Sequence, residues 1–264
     1  MKSEKIGPVI GMLHLPALPG SPRNTLGVNA IIEWVLKDSE ALYRGGVDAL
    51  LMENFGDVPF HPTHVPAHTI AFMTAIGREV KRAFDLPLGV NVLRNDAMSA
   101  IAVASAISAV FIRVNIHTDA RVTDQGLIQG MAHETLRYRK LLGSDVQLFA
   151  DVDSKHSAPL AARDLESEVE ELVSRGCADA VIVTGPATGK ETALEDLQIA
   201  KRVAHAPVYA GSGVDARNVA AILQIADGVI VGTALKHDGV TTNAVDSQRV
   251  QAFIYAVRNR KESP

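Results

Sequence analysis

The run Asp151-Val152-Asp153-Ser154-Lys155-His156 puts two carboxylates, an ammonium and an imidazole within six residues. Side chains alternate along an extended strand, so Asp151 and Asp153 share a face while Lys155 and His156 belong to the loop that follows. Glu53 ends another apolar run, and Asn91, Arg113 and Asn115 end two more. A carboxylate in a partly desolvated mouth can give or take a proton, an imidazole titrates near neutrality, and an ammonium can hold an anion or form an imine with a carbonyl. These residue types therefore support proton exchange by Glu53 and Asp151, with Lys155 and His156 stabilising developing negative charge. The competing reading is a set of ion pairs that only orders loops.

Two glycine segments, Gly211-Ser212-Gly213 and Val231-Gly232-Thr233-Ala234, suit another task. Glycine lets backbone amides approach an anion closely, so Gly211, Ser212, Gly213, Gly232 and Thr233 read as a phosphate cradle, with Gly185 as a further lining residue. Lys236 either adds a charge there or is a solvated surface lysine. GPATGKET (185–192) fails as a nucleotide P-loop, because its glycines are too close together and Glu follows the Lys. His61, His64 and His68 invite a metal reading, but Pro66 interrupts them and no HExxH pattern is present. A loop lining the mouth is the better assignment for them. No cofactor is firmly implied, and a divalent metal, if used, is expected at Glu53, Asp151 and His156.

The elements that must position these residues alternate regularly. Runs rich in Val, Ile and Leu at 8–15, 48–54, 86–93, 109–115, 146–152, 178–185, 206–213 and 227–234 read as parallel strands. Helical patterns lie between them, at 28–45, 66–84, 96–106, 126–142, 164–176, 192–204, 216–224 and 246–261. Arg44-Gly45-Gly46 and Arg175-Gly176 look like helix ends, and Asp246 looks like an N-cap. Eight strand–helix units predict an α/β fold, a closed (β/α)8 TIM barrel, as one domain over residues 1–264. In such a barrel chemistry sits beyond the C-terminal strand ends, where His14, Glu53, Asn91, Arg113, Asn115, His117, Asp151 and the glycine loops all fall.

The chain has 264 residues, 26 basic and 30 acidic, for a net charge of −4, and 47 % of it is hydrophobic. That balance provides no footprint for nucleic acid or an anionic membrane, and it excludes disorder over most of the length. Gly and Pro break the apolar run at the N-terminus, so neither a signal peptide nor a membrane-spanning helix is expected. The single cysteine, Cys177, excludes an internal disulfide, reads as a small buried hydrophobe, and fits a reducing, cytoplasmic setting. Trp34, Phe72, Phe84 and Phe253 read as helix-to-barrel packing. A homo-oligomer is a weak expectation from size alone.

The segments GMLHLPALPGSP (11–22), DALLMENFGDVPF (48–60), LGVNVLRNDA (88–97), ADVDSKHSAPL (150–160), GSGV (211–214) and ADGVIVGTALK (226–236) together resemble the BtpA family, also described as BtpA/SgcQ proteins. The resemblance runs through nearly the whole chain in order. It implies a phosphate-binding barrel of the ribulose-phosphate-binding kind, and it implies that Glu53, Asn91, Arg113, Asn115, Asp151, Lys155, His156 and the glycine loops matter. One member is known as a factor for photosystem I biogenesis, peripheral to the membrane, and SgcQ-type members sit among sugar-phosphate catabolic functions. The glutamate ending strand two before a Gly-Asp-x-Pro-Phe loop also looks like the tryptophan synthase α subunit, in geometry only.

Two functions follow as expectations. The first is an enzyme acting on a small phosphorylated metabolite by isomerase, lyase or hydrolase chemistry. The second is a non-catalytic assembly factor for a membrane complex, which the polar mouth disfavours.

Overall fold

Eight parallel strands close on themselves in the computed structural model, which describes residues 6–154, 156–185 and 193–259. The barrel strands are β1 (Val9–His14), β2 (Ala49–Glu53), β3 (Leu88–Asn91), β4 (Phe111–Val114), β7 (Gln147–Val152), β9 (Ala180–Val183), β10 (Val208–Ala210) and β11 (Gly228–Val231). They pair in that order and β1 closes the ring against β11. Helices α1 (Val28–Gly45), α2 (Ala67–Ala83), α3 (Ala97–Ile107), α4 (Ala132–Leu141), α5 (Leu165–Ser174), α6 (Leu194–Val203), α7 (Val219–Ile222) and α8 (Ser247–Arg258) alternate with them. This is the expected TIM barrel.

Period-two alternation sorts each strand into two faces. Val9, Leu13, Leu50, Val90, Ile112, Leu148, Val181 and Val229 belong to the apolar layer that also holds helix residues such as Ile31, Met73 and Val250. Their neighbours Ile10, Met12, Leu51, Phe111, Phe149, Ile182, Tyr209 and Ile230 fill the barrel interior. The rings of Phe111, Phe149 and Tyr209 stack through it with centroids 4.8 and 5.0 Å apart. Gly89 makes room for this stack, since a Cβ there would lie 2.2 Å from the Phe111 ring.

The helix ends follow the sequence signals. Gly46 takes the left-handed conformation after α1 (φ 91°), and the Asp246 carboxylate accepts the amides of Gln248 and Arg249 at the start of α8. Two helices are shorter than their patterns. Residues 126–129 of the fourth are a strand, and the seventh is reduced to Val219–Ile222. That strand, β6 (Gly126–Gln129), forms a hairpin with β5 (Ala120–Thr123), and β8 (Ser157–Pro159) adds antiparallel to β5. The resulting three-stranded sheet is built from the loops that follow β4 and β7, so it stands over the C-terminal side of the barrel. Arg121 pins it down, donating to Asp153 and to the buried Glu168 of α5, each at 2.7 Å. Cys177 is exposed rather than buried, because it sits at φ 52° in the turn after α5.

Two buried contacts hold loops that the mouth depends on. Lys236 is buried, not solvated: its ammonium donates to Asp38 Oδ2 of α1 at 2.6 Å, while Asp38 Oδ1 accepts the Val245 amide at 2.7 Å. Burial pushes the Lys236 pKa down and the Asp38 carboxylate acts against that. The segment after β11 is thereby tied to the outer helix. His117, beyond β4, is also buried, and its Nε2–H donates to the Gly176 carbonyl at 2.7 Å. Desolvation lowers its pKa below 6.5, opposed by the Gly176 bond.

Asp38→Ala leaves a buried ammonium without its carboxylate and is expected to cost about 3–5 kcal/mol in urea unfolding. The double variant Asp38→Ala/Lys236→Met is expected to recover most of that loss; equal instability of the two would deny the pair this role. For His117 the unfolded chain binds a proton that the folded chain resists. Its contribution is therefore present above the ordinary pKa of 6.5 and declines as pH falls through and below it. His117→Gln is expected to flatten that component, read as the difference in urea midpoint between pH 7.5 and 5.5 for the two proteins.

Candidate functional site

Continuing the inward alternation past the aromatic layer brings His14, Glu53, Asn91, Arg113, Asn115, Asp151, Gly211 and Gly232 to the C-terminal end of the barrel. The same parity that fills the interior with hydrophobes ends each strand in a polar residue or glycine. The resulting layer is hydrogen-bonded internally. Arg113 donates from Nε to Asp151 Oδ1 at 2.9 Å and from Nη2 to Oδ2 at 3.0 Å, and Asn115 Nδ2 adds a bond to Oδ2 at 3.0 Å. Asn91 Nδ2 donates to Glu53 Oε2 at 2.7 Å. All five residues are buried.

Burial works against the charge on Arg113, but Asp151, its hydrogen bonds and the nearby Glu53 outweigh it and raise the pKa. Arg94, from the loop after β3, is shifted the other way: burial lowers its pKa, with Asp151, Asp124 and Glu53 offsetting part of that. The mouth thus gathers Glu53, Asp151, Arg94 and Arg113 with compensating charge. Glu53 Oε1 takes no hydrogen bond from the described residues, and the buried Asn115 Oδ1 has no partner among them either.

One cavity of about 230 Å³ opens beside this layer, lined by Met12, His14, Arg113 and both glycine loops. Gly211 and Gly232 shape it. A Cβ on Gly211 would lie 2.4 Å from Ile182 and 3.5 Å from Arg113 Nη2, and one on Gly232 would lie 2.6 Å from the His14 ring. The amides of Gly213, Val214, Thr233 and Ala234, all lining residues, donate to no acceptor among the described residues. Asp215 also lines this cavity, but Arg217 engages its carboxylate through Nε at 2.9 Å and through Nη2, and holds its pKa down. Thr233 Oγ1 bonds Thr241 Oγ1 at 2.9 Å.

Other sequence candidates are placed differently. The Gly185 amide donates to Ser212 Oγ at 2.7 Å, and Gly185 is not on the cavity wall. His156, exposed, lines a neighbouring cavity together with Glu53. Lys155 and residues 186–192 lie outside the described residues. Among those that are described, no three His, Cys, Asp or Glu side chains gather to hold a metal ion, the sets Glu53–Asp151–His156 and His61–His64–His68 included. Asp153 is committed to Arg121.

Part of the polarity at the strand ends is architecture. Asn54 accepts the Leu93 amide at 2.7 Å, and Asn95 both accepts from and donates to the Ile116 backbone at 2.8 Å. These amides lock one loop to the next. Asp96 does similar work, capping α3 through the Ser99 amide and accepting the Val65 amide. His14 is legible as a strand-end polar residue, but only the geometry sets it beside Gly232 and brings Arg94 near Asp151.

Comparison with known proteins agrees with this architecture. The chain is 46 % identical over 251 residues to the photosystem I biogenesis protein BtpA of Synechocystis sp., covering 95 % of this chain and 88 % of that one. Among solved structures it is similar to N-(5'-phosphoribosyl)anthranilate isomerase from Pyrococcus furiosus, with TM-score 0.59, 14 % identity and coverage of 96 % and 99 %. It is also similar to N-acetylmannosamine-6-phosphate 2-epimerase from Clostridium perfringens, with TM-score 0.57, 15 % identity and coverage of 95 % and 93 %. No helix among the described residues is long and apolar enough to cross a membrane. Residues 5–259 match the BtpA family, and the chain belongs to it.

Proposed function

We propose that the protein is an enzyme acting on a small phosphorylated metabolite, a sugar phosphate or a nucleotide-derived phosphate, by acid–base isomerase, lyase or hydrolase chemistry. One observation carries this reading: four backbone amides that donate to no acceptor among the described residues line the same cavity as a buried arginine. Such amides favour a group that accepts several hydrogen bonds, and a phosphate offers its oxygens in a compact cluster. Arg113, paired with Asp151, adds a fixed guanidinium to the same wall. The names of the two solved barrels above, an enzyme of a phosphoribosyl compound and an epimerase of a sugar phosphate, are in line with it.

Roles within the layer follow from which atoms are already engaged. Glu53 Oε1 is unbonded among the described residues while Asn91 holds Oε2, so Glu53 is the proton-exchanging group. Both oxygens of Asp151 are occupied, so Asp151 sets the plane of Arg113 and the amide of Asn115 instead of exchanging protons itself. Arg94 and His156 line the cavity beside Glu53 and are placed to stabilise charge that develops away from the phosphate.

The Synechocystis relative is named for photosystem I biogenesis, and that name supports a second reading, a non-catalytic assembly factor. The two readings differ in a thermal-shift screen against inorganic phosphate, sugar phosphates and nucleotides. The enzyme reading expects a rise in Tm with at least one phosphorylated class, by about 2.7 kcal/mol of stabilisation at a hundredfold excess over Kd. That rise is expected to vanish in Gly213→Asp; the position has φ 65°, where Asp is among the tolerated side chains. No rise with any compound would remove the cradle and leave the assembly reading. With a turned-over substrate in hand, Glu53→Gln is expected to lower kcat by about 10²–10⁴-fold while phosphate binding persists.

A further inference from the structure

The mouth has a second compartment with walls of another kind. Phe55, Val58 and Phe60 of the loop after β2, with Leu93 of the loop after β3, line a cavity of about 410 Å³ that Glu53, Arg94, Asp124 and His156 complete. Leu93 is buried and the other three apolar residues stand half-buried at the opening. Asp124 belongs to the two-residue turn of the β5–β6 hairpin and acts electrostatically on Arg94, so the extra sheet reaches this cavity and offsets its cation.

These walls discriminate between kinds of phosphorylated compound. A bare sugar phosphate would set hydroxyl groups against phenyl and leucyl carbon, where they lose water and gain no partner. A flat ring sets its faces there and keeps its polar edge for Arg94 and Asp124. The two compartments are also joined. His14 and Glu53 are register partners across β1 and β2, and the His14 ring packs on Phe55 with centroids 4.8 Å apart. His14 lines the glycine-loop cavity and Glu53 lines the apolar one, so the boundary between them runs through the proposed acid–base group.

We infer that the substrate is a phosphate ester carrying a flat aromatic or heteroaromatic ring, with its phosphate at the glycine loops, its ring between Phe55, Phe60 and Leu93, and the reacting bond beside Glu53. This rests on the phosphate reading and narrows it. Calorimetric titration with inorganic phosphate, ribose 5-phosphate and the four common nucleoside 5′-monophosphates tests it. At least one nucleotide is expected to bind about tenfold or more tightly than ribose 5-phosphate, the gain from burying a ring. Phe60→Ala is expected to abolish that advantage and leave affinity for inorganic phosphate unchanged. Val58→Asp, which places a carboxylate in the same wall, is expected to do likewise and serves if Phe60→Ala does not fold. If inorganic phosphate binds but no nucleotide exceeds ribose 5-phosphate, or if the advantage survives in the folded variants, the ring compartment is overturned and the phosphate reading stands. If neither inorganic phosphate nor ribose 5-phosphate binds, the phosphate reading itself fails.

Discussion

A guanidinium and a carboxylate, both shut off from solvent, meet across β4 and β7, and the arrangement of the mouth depends on that contact. Removing either partner would strand the other charge, at about 3–5 kcal/mol, whereas two well-packed apolar side chains in the same volume would serve stability as well or better. Folding alone therefore does not account for the pair. What it provides is direction. Two parallel hydrogen bonds define the plane of the Arg113 fork, a constraint that a lysine at the same position would not give. The arginine is presented to the glycine-loop cavity in one orientation, and Asn115 is held by the same carboxylate.

The sheet formed by β5, β6 and β8 follows from the same economy of anchoring. Its strands lie in the loops after β4 and β7, and it buries little of its own, with Val122 and Leu127 exposed on paired strands. Arg121 supplies the attachment, reaching Asp153 beyond β7 and Glu168 on α5. The bond to Glu168 is sheltered; that to the exposed Asp153 is not. Burial raises the Glu168 pKa and the Arg121 charge pulls it back. The hairpin thus carries Asp124 to Arg94 from a base fixed beside β7 and α5.

Local regularities made the barrel legible in the chain. Eight β-rich runs separated by helical patterns leave few architectures open, and strand parity then sends Glu53, Asn91, Arg113 and Asp151 inward without knowledge of any contact. Long-range pairings were not legible. Lys236 reads as a cradle charge or a surface lysine until Asp38, 198 residues earlier, is placed beside it. The side-chain amides of Asn54 and Asn95 bond to backbone groups that only the folded loops bring near. The β5–β6 hairpin was hidden because ARVT and GLIQ are too short for period two to outweigh the helical pattern of the residues that follow. Cys177 departs from the expected burial for a related reason: residue type favours burial, and the segment that exposes it has no type of its own.

The composition of the layer at the barrel mouth bears on whether the barrel acts on a ligand or serves as a scaffold. One step below it the same inward positions hold Met12, Leu51, Phe111, Phe149 and Ile182, which pack without polar cost. Two residues further along the strands the occupants are His14, Glu53, Arg113 and Asp151. Every one of these resists desolvation, and an apolar plug at this level would satisfy the barrel with less compensation. A scaffold whose partners touch its outside would gain nothing from such a layer. A ligand that enters between the glycine loops and Glu53 uses each feature: amides and a carboxylate oxygen that have no partner among the described residues, and a fixed guanidinium. The distribution of polarity along single strands therefore weighs toward chemistry in the mouth, independently of any relative's name.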